Sequence, residues 1–281
     1  MTNRNFEISE LPMNVRAKNE RKSPDSFAGI AGSAKSRGAS NEEAADTPRR
    51  GELQDRIAEE LRRALMRGQF FPGQKLSLRG LAEQLGTSAM PVREVLSQLT
   101  AAGVLEALPN RTVQVPRMTE PKFKELTQVR ALLEGYAAEL ACVNCTPALI
   151  KSLQKIDADL TKFSKERNVL GILTTNQAFH FGIYAASQSE ILLPLIEALW
   201  LRAGPVMYFS LSEQAHIWDA GTHQDILDCM HAGDATGTRR AIERDIHRTS
   251  KLLITKSAIF NTGLASVAKL PQVQRDKRST V

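Results

Sequence analysis

The chain has 281 residues, a formal net charge of +6, 42% hydrophobic residues and only 5% aromatics. That length suits two domains with tails, at roughly 150 residues per domain, and the composition builds cores from Leu, Ala, Ile and Val. No window approaches the roughly 18 apolar residues of a membrane span and three cysteines make no disulfide framework, so a soluble, cytoplasmic chain with no membrane partner is expected.

Residues 1–50 are polar and aperiodic, with the run SAKSRGASNEEAADTPRR, and read as a disordered N-terminal arm. Leu53, Ile57, Leu61, Ala64 and Leu65 then fall three or four apart, one face of a helix that stops at Gly68 before a Phe-Phe-Pro-Gly turn. Leu78, Leu81, Ala82 and Leu85 mark a second, short helix ended by Gly86. Thr87 or Ser88 caps a third, which tolerates Pro91 in its first turn, turns Val92, Val95, Leu96 and Leu99 inward and ends near Gly103. The β-prone runs Val104–Ala107 and Thr112–Pro116 flank the turn Leu108-Pro109-Asn110-Arg111 and predict a hairpin. Three helices and a hairpin over 51–117 are the order of a winged helix-turn-helix.

After Pro121 the pattern is wholly helical, with helices predicted at 120–143, 146–166, 169–187, 190–209, 212–232 and 234–257. Thr146-Pro147, the KERN stretch, Gln188-Ser189, Gly204-Pro205 and Ala232-Gly233-Asp234 mark the breaks. The fold class is therefore mainly α: a winged helix-turn-helix followed by an antiparallel bundle of about six helices over 120–257, with a flexible basic tail at 258–281. Cys142 and Cys145 have thioredoxin-like spacing but no βαβ surroundings, and with Cys229 they read as ordinary reduced thiols.

Charge follows the same division. Lys and Arg outnumber Asp and Glu by 9 to 7 over residues 1–50 and again over 51–117, stand at 15 to 16 over 118–258, and at 4 to 1 beyond. A basic portion beside a near-neutral one fits a polyanion-binding module joined to something else. The segment LRGLAEQLGTSAMPVREVLSQLTAAGVLEALPNRTVQV closely resembles the winged helix-turn-helix of the GntR family of bacterial regulators. The likeness lies in Leu81-Ala82, Leu85-Gly86, Ser88, Met90-Pro91-Val92-Arg93-Glu94, Leu96, Leu99, Gly103 and Pro109-Asn110-Arg111. It implies that Thr87, Ser88 and Arg93, in the opening turns of the third helix, face double-stranded operator DNA. A recognition helix reads base edges with those turns, and its amide end suits phosphate. Arg93 is the best candidate for bidentate guanine contact, whereas Arg79 and Arg111 suit phosphate or the minor groove. Many relatives carry Arg where this chain has Ala89 and Gly where it has Thr112, which alters operator sequence or wing geometry without removing the fold.

The helical remainder resembles the FCD ligand-binding domain of the FadR-type branch. It does so through Val129-Arg130-Ala131-Leu132-Leu133-Glu134, Asn176-Gln177-Ala178-Phe179-His180, His223-Gln224-Asp225-Ile226-Leu227 and the segment from His231 to Ile246. This implies a divalent metal, and Asn176 and His180, four apart, share one helix face. His223 matches a third ligand, and Asp245 stands where relatives have a fourth histidine; His247, two residues on and about 200° round the helix, does not easily substitute. The mixed set Asn176, His180, His223 and Asp245 suits Zn, Ni or Mn. Arg130 matches the position where relatives meet the carboxylate of an organic-acid effector, its alternative being an ion pair with Glu134. The resemblance implies a homodimeric transcription regulator, by the family's commoner habit a repressor, and not an enzyme. The rival reading, a metal-dependent hydrolase or lyase with an accessory DNA-binding domain, lacks a general base on a signature such as HExxH.

Overall fold

The computed structural model describes residues 50–109, 112–212 and 221–256. The expected arm (but for Arg50), the expected tail, Asn110 and Arg111 of the wing turn, and residues 213–220 of the helix expected from 212 lie outside them.

The first helix, α1, spans Arg50–Met66, and its predicted face is its buried face: Ile57, Leu61, Ala64 and Leu65 are each exposed by 3% or less. It ends at Gly68, whose φ of +63° is the left-handed conformation glycine adopts without a Cβ clash. The short strand β1, Lys75–Leu76, follows. Next comes α2, Leu78–Gln84, whose N-cap Ser77 accepts from the Gly80 amide at 3.2 Å. Gly86, at φ +61°, makes the turn into α3, Ala89–Ala101. Ser88 holds the N-cap position of α3 but makes no side-chain capping bond, which corrects the expected cap. The strands β2, Glu106–Ala107, and β3, Val113–Gln114, pair antiparallel as predicted, with Ala107 opposite Val113. The sheet nevertheless has three strands in the order β1-β3-β2, because Leu76 also pairs with Val113. Two residues are too few for strand alternation to show in sequence.

Among the described residues six helices follow: α4 (Glu120–Val143), α5 (Pro147–Lys165), α6 (Val169–Ala186), α7 (Leu192–Ser212), α8 (Gly221–His231) and α9 (Ala235–Lys256). Thr146 caps α5 through the Leu149 amide and Asn168 caps α6 through the Gly171 amide. The break expected at Gly204-Pro205 is not a break, for α7 runs through Pro205. Proline there denies Leu201 its intrahelical donor, a cost that packing offsets. Gly204 lies so close to α1 that a Cβ on it would come within 2.2 Å of the Leu65 carbonyl oxygen and 2.6 Å of Met66 Cα. Further contacts join the same two parts. Arg202 donates from Nη2 to the Ala102 carbonyl at the C-terminal end of α3 (3.3 Å), and Arg67 donates from Nε to Gln177 Oε1 on α6 (2.9 Å). One apolar core runs without interruption from Ile57 and Leu65 to Trp200 and Ile242.

α4 lies at the centre of the bundle, against α6, α7 and α9, and its mostly apolar buried face includes an ion pair. Arg130 and Glu134 are buried, while Val129, Leu132, Tyr136 and Val143 are 39–75% exposed. No helix among the described residues is long and apolar enough to cross a membrane.

Candidate functional site

Two surfaces collect the residues that the sequence singles out. The first is the opening of α3. Pro91, Val92, Val95, Leu96 and Leu99 are its buried face, and this leaves Ser88 and Arg93 exposed beside half-buried Thr87. Pro91 sits where an amide would lack an intrahelical acceptor anyway, so its missing N–H costs the helix nothing. Arg79 on α2 is exposed as well, and Arg111 lies outside the described residues. Met90, 58% exposed in the first turn of α3, was not singled out from the sequence. It lies inside the Met-Pro-Val-Arg-Glu motif, but periodicity alone assigns a lone methionine to neither surface nor core.

The second is a cavity inside the bundle, lined by Arg130 on α4, Asn176 and His180 on α6, Trp200 on α7, and Asp245 on α9. Its volume is about 20 Å³, enough for one water at roughly 10–15 Å³ each and too little for an organic acid without movement. His180, His223 and Asp245 are all buried and bring one ligand atom apiece to within 4.8 Å of one another. His180 Nε2 lies 3.3 Å from Asp245 Oδ2. Asn176 is 4% exposed, and its Oδ1 is buried with no hydrogen-bond partner among the described residues. Such an orphaned oxygen is costly unless a ligand meets it. Burial would push the Asp245 carboxyl up, but the hydrogen bond and charge of His180, then the charge of His223, hold it at about 2. Asn176, His180 and Asp245 thus line one cavity and His223 joins the cluster of His180 and Asp245, which brings together an ionised carboxylate, two imidazoles and a carbonyl oxygen. That donor set fits a divalent cation of borderline softness.

Arg130 is tied to Glu134, with Nε to Oε1 at 2.7 Å and Nη2 to Oε2 at 3.3 Å, and its guanidinium lies 4.8 Å from the centroid of the Trp200 ring. The ion-pair alternative is therefore present, though Arg130 also lines the cavity and Glu134 does not use its Nη1. Burial works against the Arg130 charge and Glu134 outweighs it, so its pKa is raised. Tyr184 donates to Glu134 Oε2 at 2.7 Å, and burial followed by the Glu134 charge pushes its hydroxyl well above the usual phenol range. Asp157, Tyr184 and Trp200 are polar neighbours of the site that sequence reasoning missed as participants. Only Tyr184, one turn after His180, left a local signal.

Comparison with known proteins bears on both surfaces. Residues 53–115 match the family described as bacterial regulatory proteins, gntR family, and residues 125–248 match the FCD domain. The chain is 30% identical over 201 residues to the HTH-type transcriptional regulator McbR of Escherichia coli K12, across 70% of this chain and 90% of that one. It is 27% identical over 205 residues to the HTH-type transcriptional repressor GlaR of the same organism, across 69% and 87%. The solved structure of E. coli McbR/YncC superposes with a TM-score of 0.68 at 28% identity, covering 73% of this chain and 98% of that one.

Proposed function

The chain belongs to the gntR family of bacterial regulatory proteins and carries an FCD domain, and from that premise we propose that it is a homodimeric repressor whose hold on its operator is set by a divalent metal and a small organic acid in the bundle cavity. It is a transcriptional regulator of the GntR/FCD type. The observation that carries the finer reading is the convergence of His180, His223 and Asp245 within 4.8 Å, beside the orphaned Asn176 oxygen.

In this reading Arg93 reads a base edge, Thr87 and Ser88 with the α3 amides meet phosphate, and Arg79 and Arg111 hold the flanking backbone. Asn176, His180, His223 and Asp245 would hold zinc, nickel or manganese, and the bound ion supplies a Lewis-acidic contact for a carboxylate oxygen. Arg130 Nη1 and the buried Trp200 indole N–H, which has no hydrogen-bond partner among the described residues, are the donors left for the rest of the anion. An acid larger than the cavity enters only if its lining moves. Trp200 on that lining belongs to the helix whose Arg202 and Gly204 hold α3 and α1. Release follows if the acid binds the free conformation better than the DNA-bound one, since only differential affinity shifts the balance. The exposed stripe Val129, Leu132, Tyr136 and Val143, spaced three, four and seven apart along α4, supports pairing with a second copy. The name of GlaR supports the repressor sense.

The test is a gel-shift series on the DNA upstream of the chain's own gene, with chelator-treated protein, added Zn²⁺ and a panel of small carboxylates. Arg93→Ala is expected to weaken binding by about 1–3 kcal/mol, a factor of roughly 5–150. Undiminished binding by that variant overturns the reading head. Affinity indifferent to metal and to every acid overturns the sensor.

A further inference from the structure

Each imidazole of the His180, His223 and Asp245 cluster is tied through its Nδ1. His223 Nδ1 lies 2.8 Å from Asp157 Oδ1 on α5. An ionised carboxylate only accepts, so the proton of that bond sits on Nδ1, and Nε2 is the nitrogen His223 offers. His180 Nδ1 lies 3.2 Å from the Tyr184 hydroxyl. Tyr184 has a single proton, and the Glu134 carboxylate, paired with Arg130, takes it at 2.7 Å. The tyrosine oxygen therefore accepts from His180 Nδ1–H, and Nε2, 3.3 Å from Asp245 Oδ2, is the nitrogen that donates to that carboxylate in the metal-free chain and turns to a metal when it gives up its proton.

Packing alone does not set this arrangement. Phe179 stacks on the His223 ring at 4.0 Å and 7°, but a half-turn of the ring about Cβ–Cγ preserves that stack while putting Cδ2 where Nδ1 stood and Cε1 where Nε2 stood. Only a polar partner on one side distinguishes the two orientations. We propose that Asp157 and Tyr184 are the positioning residues of the metal centre, each fixing the tautomer and orientation of one histidine so that both present Nε2. This rests on the metal reading above. Carboxylates and hydroxyls behind ligating histidines act in this way elsewhere, and their loss costs 10–100-fold in metal affinity.

The experiment uses the full chain, stripped with chelator and titrated with Zn²⁺ against a chromophoric competitor. Asp157→Ala and Tyr184→Phe are expected to bind Zn²⁺ 10–100-fold more weakly. Asp157→Asn, whose side-chain carbonyl still accepts from Nδ1–H, should stay within a few-fold of the parent. The Asp157 side chain is 14% exposed and its loss leaves the buried His223 Nδ1–H without that acceptor, so the alanine variant should melt below the parent without metal, well short of unfolding the chain. Long-range ¹H–¹⁵N spectra of the metal-free proteins add a readout that stability does not move. His223 should be one Nδ1–H tautomer in the parent and a mixture in Asp157→Ala. Parent-like affinity and tautomer in Asp157→Ala overturn the proposal, as does an Asp157→Asn as weak as Asp157→Ala. A parent chain that binds no Zn²⁺ overturns the metal reading itself, and this inference with it.

Discussion

Removing the Glu134 carboxylate should be among the most damaging single changes in the bundle. Glu134 is 0% and Arg130 7% exposed, and the carboxylate takes two bonds from Arg130 and one from Tyr184. In Glu134→Ala the guanidinium stays buried without its counter-charge, a loss of about 3–5 kcal/mol. Contact with the Trp200 ring returns at most ~2 kcal/mol, and the parent already has it. At about 2–4 °C per kcal/mol for a chain of this size, the melting temperature should fall by roughly 6–20 °C. The informative partner is the double variant Arg130→Met, Glu134→Leu, which removes both charges while keeping the volume. It should recover most of the loss, because only the Tyr184 hydroxyl is left without its acceptor, at about 1–3 kcal/mol. Urea and thermal unfolding in the presence of chelator measure both. A Glu134→Ala loss below about 1 kcal/mol, or a double variant no better than the single one, would refute the view that charge pairing dominates here.

Two more outcomes are open to the same assays. Gly204→Ala must drive α7 away from the Leu65 carbonyl, so it should lose about 1–3 kcal/mol or more and raise amide exchange in α1 and α7 together; unchanged exchange in α1 would show that the helices do not depend on this approach. Asp245 is depressed from 3.8 to about 2 in the folded chain, so its stabilisation is complete above the unfolded value and disappears as pH falls through the folded one. In metal-free protein the stability gap between the parent and Asp245→Asn should therefore close between about pH 4 and pH 2, and a gap constant with pH counts against the charge.

The parts legible in the sequence share a physical property: their determinants lie within a few turns of each other. The 3.6-residue pattern of Leu53 to Leu65, the Gly86 turn and the Val92-to-Leu99 face need no distant partner, and α1 to α3 follow them. Asn176 and His180 read as one helix face for the same reason, and the cavity receives both. What escaped depends on distant contacts. β1 exists because two residues borrow the edge of β3, nearly forty positions on. Asp157 meets His223 across 66 residues, and on α5 alone it is one more charged helix position. Continuation of α7 through Pro205 is settled by α1 packing on Gly204, against a local rule that says stop. On α4 the Arg130–Glu134 pair was legible, because the two lie one turn apart, but the exposure of Val129 and Leu132 was not.

The placement of α7 bears on attempts to build hybrid sensors from this chain. Exchange of ligand-binding halves between regulators assumes a cut in the connector before α4 that severs little else. Here α7 supplies Trp200 to the cavity, Arg202 to the end of α3 and Gly204 to α1, so such a cut leaves the transplanted bundle facing a head shaped for another helix. A chimera that keeps its response would have to carry the facing surfaces of α1 and α3 along with the bundle, or graft residues 200–204 onto the incoming one. The inheritable unit is the seam, and the connector only threads through it.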